Sequence, residues 1–207
     1  MDYVHPVEAV IPGAQGRLLA TLVETTAELS LRTLARLSRV SLAQASRVLP
    51  GLVELGLVER REVPPSSLFR LLRSNVATRS IVELARSREA VLEILGSSAA
   101  MLPIPPVSVI VFGSFARRQA GPQSDLDLVI VRPDHLGEDD TRWAEGLEAW
   151  RVEMSEVVGN SVSILELSRA EVRERLSNPA PLWQDIRRDG IVVSGLNLIE
   201  LAAVIHA

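Results

Sequence analysis

Between Val111 and Val131 the chain reads VFGSFARRQAGPQSDLDLVIV. The residues able to do chemistry there are the pair Gly113 and Ser114 and, after ten intervening positions, the aspartates Asp125 and Asp127. On an extended strand, residues two apart project from the same side. That spacing turns both carboxylates one way while Leu126 and Leu128 pack behind them. Adjacent carboxylates repel unless something positive sits between them. A hard cation such as Mg²⁺, with triphosphate oxygens as its other ligands, meets that need. Glycine at a strand end lets the backbone turn sharply and approach a ligand without a Cβ clash. Ser114 adds a hydroxyl and a backbone N–H, and FARRQ reads as the start of a helix whose N-terminus favours phosphate.

These residues need a scaffold, and the flanking pattern supplies one. Val107 to Phe112 reads as a buried strand entering the Gly-Ser turn, and SDLDLVIV as the strand leaving it. Upstream, apolar residues at 81, 84, 85, 91, 92 and 95 fit one amphipathic helix from Ile81 to Leu95, closed by SSAAMLPIPP. Downstream, Trp143, Leu147, Trp150 and Met154 share one helical face and read as core. Asn160 to Ser168, NSVSILELS, is the next strand candidate.

The G-S-x10-D-x-D pattern and its apolar strands resemble the nucleotidyltransferase fold, the superfamily of DNA polymerase beta and the small bacterial nucleotidyltransferases. The resemblance covers about the second half of the chain, from the helix at Ile81 onward. It implies that Gly113, Ser114, Arg117 and Ser124 bind the nucleotide. Asp125 and Asp127 would be the catalytic carboxylates on Mg²⁺ (or Mn²⁺), with an NTP as ligand or substrate. Relatives of this kind carry a third carboxylate on a neighbouring strand, where it completes the metal site and helps deprotonate the attacking hydroxyl. Setting SVSILELSRAE against that strand puts Ser163 at the position. Glu166, three residues on, faces the opposite side of a regular strand unless a bulge turns it back.

The first third of the chain has a different pattern. A helix is expected from Gly16 to Leu29 and a short one over Leu31–Leu37. SRVS forms a tight turn, and Ser41 caps a second helix running towards Leu55. Pro50 inside that helix removes a backbone bond, so a kink or a shortened helix is expected. Gly56 stops it, and LVERREV and LFRLL are strands around a PPSS tip. LARLSRVSLAQASRVL and LVELGLVERR resemble the winged helix-turn-helix of bacterial transcription regulators. That resemblance places Ala45, Val48, Leu49 and Leu52 on the core. It turns Ala43, Gln44, Ser46 and Arg47, beside the capping Ser41, towards a major groove. Arg60, Arg61 and Arg70 on the hairpin would meet phosphates or a minor groove.

The fold class expected is therefore α/β (α+β): a winged helix-turn-helix over residues 1–75, then a small nucleotidyltransferase-fold domain over 76–207. The second domain has a short mixed sheet flanked by helices. The whole resembles bacterial regulators that fuse these two parts. Two function classes follow. One is a DNA-binding regulator that keeps an Mg-NTP pocket with weak or no turnover, the reading favoured by Ser163. The alternative is an active Mg-dependent nucleotidyltransferase moving an NMP to a hydroxyl of a small molecule, protein or tRNA, including a toxin–antitoxin component. The partners expected are double-stranded DNA, a nucleoside triphosphate and a second copy of the chain. The apolar tail LNLIELAAVI, Leu196 to Ile205, is a candidate dimer element.

Composition narrows the chemistry further. With no cysteine, the chain has no disulfide, thiolate nucleophile or Cys-based zinc site. All 22 basic residues are arginine, so a P-loop lysine and a lysine Schiff base are excluded. His5, His135 and His206 are scattered, which argues against a histidine-based site. A net charge of −4 disfavours indiscriminate nucleic-acid binding by the whole chain but allows a local basic face. No apolar run approaches the roughly 20 residues of a membrane span, and no secretory leader is evident. A cytoplasmic location is expected.

Overall fold

A computed structural model describes residues 1–177 and 180–203. The chain divides into two compact units between Arg88 and Glu89, with Asp2 joining the first and Met1 and Tyr3 the second. Among the described residues the fold is mixed α/β, with two small sheets. No helix there is long and apolar enough to cross a membrane.

The first unit starts with α1 (Pro6–Val10) and α2 (Gly13–Val23), followed by the short strand β1 (Leu29–Ser30). The helix expected from Gly16 to Leu29 thus ends earlier. Ala27 N–H donates to Thr25 Oγ1 in a turn (3.1 Å), and Leu29 pairs with Phe69 as strand. Next come α3 (Leu31–Leu37) and α4 (Leu42–Glu54), joined by a turn in which Arg39 takes φ +52°. Ser41 and Gln44 cap α4 reciprocally through side chain and backbone. Of the two outcomes expected of Pro50, a kink or a shortened helix, the second does not occur: α4 runs through Pro50 to Glu54. This proline is exposed, so the Ser46 carbonyl it cannot satisfy lies on a solvated side. Gly56, at φ +69°, closes the helix.

A hairpin follows: β2 (Val58–Val63) pairs antiparallel with β3 (Ser66–Leu71), completing a sheet of order β1-β3-β2. Helix, turn, helix and wing are therefore all present. The core of this unit is Leu18, Leu19, Leu22, Leu34, Ala45, Leu49, Leu52, Val58 and Phe69. The helix α5 (Val76–Ala85) completes the unit.

The single helix expected from Ile81 to Leu95 is two helices, α5 and α6 (Ser87–Ala100), separated at Arg86. The reason lies in the packing. Ile81, Val82, Leu84 and Ala85 pack against the first unit's core, whereas Val91, Leu95 and Ala99 belong to the second's. One periodic stripe serves two cores. For the same reason the division falls one helix later than the expected boundary at Asn75.

The second unit continues with β4 (Ser108–Phe112), the single turn α7 (Gly113–Ala116), β5 (Leu126–Arg132) and α8 (Thr141–Val158). Then follow β6 (Val162–Ser168), α9 (Arg169–Leu176), α10 (Pro181–Asp189), β7 (Ile191–Gly195) and α11 (Leu198–Ala202). The sheet order is β6-β5-β4-β7; only β5 and β6 run parallel. On one face Leu126, Leu128, Ile130, Val109 and Val111 pack with Trp143, Leu147, Trp150 and Met154 of α8 and with α6. On the other, Ile110, Val129, Val131 and Leu167 pack with Val172, Trp183, Ile186 and Leu201. Of the tail expected to assist dimer formation, Leu201 is buried and Ile199 is 83% exposed, while Val204 and Ile205 lie outside the described residues.

Candidate functional site

Strand alternation decides where the acidic pair sits. Leu126 and Leu128 are buried on the α8 side, which leaves Asp127 on the opposite face with Val129. Asp125 is exposed and immediately precedes β5; Leu126 N–H donates to the Ser161 carbonyl (2.8 Å), which fixes the entry to the strand. Gly113 follows β4 at φ +71°, and a Cβ added there would collide with the Asp127 carboxylate. Only glycine lets the turn close over this acid. Burial, with the neighbouring Asp125 charge adding to it, pushes the Asp127 carboxyl above its ordinary range; Arg117 opposes the shift.

These features fit a divalent cation. Two oxygen-donor side chains, one at the entry to β5 and one within it, in a cradle that excludes a Cβ and with unfavourable mutual charge, are suited to a hard ion. Among the described residues, no third His, Cys, Asp or Glu completes a metal-holding cluster. The strand register explains why. Asp127 pairs directly with Ser163, so the position beside it on the same face carries an exposed hydroxyl. Glu166 pairs with Ile130 on the opposite face, where its Oε1 accepts from Arg132 Nη1 (2.6 Å) and Trp143 Nε1 (2.9 Å). No bulge breaks the β5–β6 register.

The remaining nucleotide-site candidates fall around the turn. Ser114 lies in α7, which is one turn long; the helix expected from FARRQ does not continue, and the chain bends at Arg118 with φ +58°. An α-helical N-terminus of useful length is therefore not available to phosphate here. Arg117 Nε donates to Gln119 Oε1 (3.3 Å), and its Nη1 lies 3.9 Å from Asp185 on α10. Ser124 Oγ accepts from Gly121 N–H (3.0 Å), so this hydroxyl closes the loop before the acidic pair. Asn160, which sequence reasoning missed, holds the same loop by donating to the Ser124 carbonyl (2.8 Å). Tyr3 stands edge-on to Phe115 of α7, with ring centroids 5.1 Å apart, and supports the turn from below.

On the first unit, Ser41, Ala43, Gln44, Ser46 and Arg47 are all exposed on α4 or its cap, while Ala45, Leu49 and Leu52 are buried. Val48 is half-buried. The Ser41 and Gln44 side chains are engaged with each other in the capping box. The wing arginines are paired with acids: Arg60 with Glu62 (2.7 Å), Arg61 with Glu28, and Arg70 with Glu59 (2.6 Å). The Arg61 hydrogen bond holds the Glu28 carboxyl below its ordinary range. Arg36, Arg39 and Arg47 have no ion pair among the described residues. Arg36 and Arg39 belong to α3 and the turn, and nothing in the sequence pattern marks them as unpaired while the wing arginines are paired.

The family comparison addresses the second unit. Residues 89–181 match the family model described as the nucleotidyltransferase domain. Among solved structures the chain is similar to a cysteine-to-serine mutant of MarR from E. coli complexed with operator DNA. The identity is 19% over 41% of this chain and 61% of that one, with a TM-score of 0.31. It is similar to NadR in complex with 4-hydroxyphenylacetate at 21% identity, over 48% of this chain and 74% of that one (TM-score 0.34). It is also similar to a toxin–antitoxin with AMP-PNP at 16% identity, over 51% of this chain and 77% of that one (TM-score 0.34). The chain covers 61% to 64% of the length of the MarR structures it matches. No curated protein matches it.

Proposed function

We propose that the protein is a DNA-binding regulator whose nucleotidyltransferase domain binds Mg-NTP with weak or no turnover. The observation that carries this reading is the direct pairing of Asp127 with Ser163. Asp125 and Asp127 would hold the cation, which neutralises the triphosphate when bound. Gly113 leaves the backbone close to the phosphates, and Ser114 and Arg117 supply donors to them. Among the described residues, no third carboxylate joins Asp125 and Asp127 to take the proton from an attacking hydroxyl. Loss of a positioned base costs roughly 10²–10⁴ in rate. DNA contact would fall to α4 through Ser46 and Arg47, with Arg36 and Arg39 supplying phosphate contacts. The self-paired wing arginines support a smaller electrostatic share for the hairpin.

Equilibrium dialysis with each α-labelled NTP, with and without Mg²⁺, tests binding; the same nucleotides in cell extract test transfer. The expected result is Mg²⁺-dependent retention of nucleotide that Asp127→Asn abolishes, with no labelled acceptor. Many turnovers per minute would replace the sensor reading with the enzyme reading.

A further inference from the structure

Arg117 follows the single turn α7, three positions after Ser114, and its side chain is half-buried. Its Nε is committed to Gln119 Oε1 (3.3 Å), and its Nη1 lies 3.9 Å from Asp185 Oδ2 on α10. That distance exceeds a hydrogen bond, so the contact is one of charge alone. The other Asp185 oxygen, Oδ1, accepts from Arg188 Nη2 (2.6 Å). Arg188 in turn grips Asp189, with Nε to Oδ1 at 3.0 Å and Nη2 to Oδ2 at 2.8 Å. Asp189 is thus satisfied by its neighbour, whereas Asp185 divides its two oxygens between two arginines. The helix itself is fixed, because Trp183 and Ile186 on its inner side are buried in the second unit's core. The Arg117 charge also reaches the acidic pair, where it opposes the upward shift that burial imposes on Asp127. One guanidinium therefore answers to carboxylates on both sides, Asp127 on β5 and Asp185 on α10.

We infer that Asp185 is a positioning residue that restrains Arg117 and competes with the triphosphate of Mg-NTP for its guanidinium. This rests on the Mg-NTP reading above. A phosphate oxygen offers Arg117 short charge-assisted hydrogen bonds in place of a 3.9 Å charge contact, so the exchange favours nucleotide. Asp185 subtracts from that gain, and Arg188 stays behind to neutralise it once Arg117 leaves. Nucleotide occupancy thereby registers at α10, an element outside the Gly-Ser turn and the acidic pair.

The test is calorimetric titration of the full chain with Mg²⁺ and ATP, GTP, CTP or UTP, then a double-mutant cycle with the tightest of them. Asp185→Asn should tighten binding about three- to fivefold, the scale of a partly exposed ion pair. In the Arg117→Ala background the same substitution should change Kd by less than about twofold, because the residue it acts through is gone. Asp189→Asn should stay within about twofold of wild type, because Arg188 already occupies that carboxylate. Equal tightening by Asp189→Asn, or the same gain with and without Arg117, would overturn the inference in favour of general charge. A second readout needs no nucleotide: the Arg117 Nε–Hε NMR resonance, assigned by its loss in Arg117→Ala, should shift in Asp185→Asn. An unmoved resonance would overturn the inference even where Arg117→Ala binds too weakly for the cycle, and a shift would uphold the restraint. If no Mg-NTP binds the wild type, the nucleotide reading fails and the inference with it. If nucleotide binds and the cycle is additive, the inference alone fails.

Discussion

Asp127 and Ser163 are direct neighbours across the parallel β5–β6 pair, on the same face of the sheet. In that register a side chain at 163 is the nearest candidate to share a cation with Asp127, and a serine hydroxyl brings no charge. Ser163→Asp should therefore raise nucleotidyl transfer, by up to the roughly 10²–10⁴ that a positioned base contributes. It also crowds three carboxylates together, so the variant should melt lower than wild type without metal and recover with Mg²⁺. Transfer assays and thermal melts on one preparation check both halves.

Removing the cation ligands should have the opposite signature. A ligand that binds only the native state stabilises it by about 2.7 kcal/mol at a hundredfold excess over Kd. Wild-type melts with ATP, GTP, CTP and UTP should show at least one increase that needs Mg²⁺. The Asp125→Asn/Asp127→Asn double variant should show none. Four flat wild-type responses at millimolar nucleotide would remove the pocket.

The pH dependence follows from the raised Asp127 pKa. The native state holds this proton more tightly than the unfolded chain. The associated stability is fully present below the ordinary value of 3.8 and is lost as pH rises through the higher native value. Ionised Asp127 is thus a liability at neutral pH without metal. Asp127→Asn should unfold at higher urea than wild type at pH 7 in the absence of Mg²⁺, and the difference should shrink towards acid. A neutral-pH loss of stability on this substitution would contradict the placement of Asp127 in a desolvated, like-charged site.

Glu166 tests the strand register from the other face. Its partner Arg132 has a side chain only 8% exposed, whereas that of Glu166 is 29% exposed. Breaking a fully buried pair costs about 3–5 kcal/mol; the partial exposure here reduces the expected cost of Glu166→Gln to about 1–3 kcal/mol. Mg-NTP affinity should be unchanged. A variant that keeps its stability and loses Mg²⁺-dependent binding would make Glu166 the third ligand and the register wrong.

For DNA, the ion pairs reverse a simple expectation about the wing. Arg47→Ala should cost about 1–3 kcal/mol and relax preference at one base position. Arg60→Ala and Arg61→Ala should cost little, because Glu62 and Glu28 already neutralise them. Glu28→Gln and Glu62→Gln should strengthen binding to any duplex and steepen its salt dependence by about 0.9 per freed arginine. Fluorescence anisotropy over a salt series distinguishes these outcomes. Uniform weakening by Arg60→Ala would show that the wing reaches phosphate despite its acids.

Local signals were sufficient for much of this protein. Ser41 followed by Gln44 fixes the start of α4, Gly56 its end, and the alternation of Leu126, Asp127 and Leu128 sends the acid away from α8. Each depends only on residues within a few positions, and so does the G-S-x10-D-x-D spacing. Other features were decided by neighbours distant in sequence. The split of one apolar stripe into α5 and α6 depends on which core each half enters. The neutralisation of Arg61 depends on Glu28, which reaches it across the sheet rather than along the chain. FARRQ looked like a helix start because Gly113 and Ser114 suit one. The turn ends at Arg117 because the next residues form the bend leading to the loop that Asn160 and Ser124 close. Sequence spacing determines which face a side chain occupies within its own element. Only the folded chain brings in the opposite charge, the second core or the paired strand that decides what that face meets.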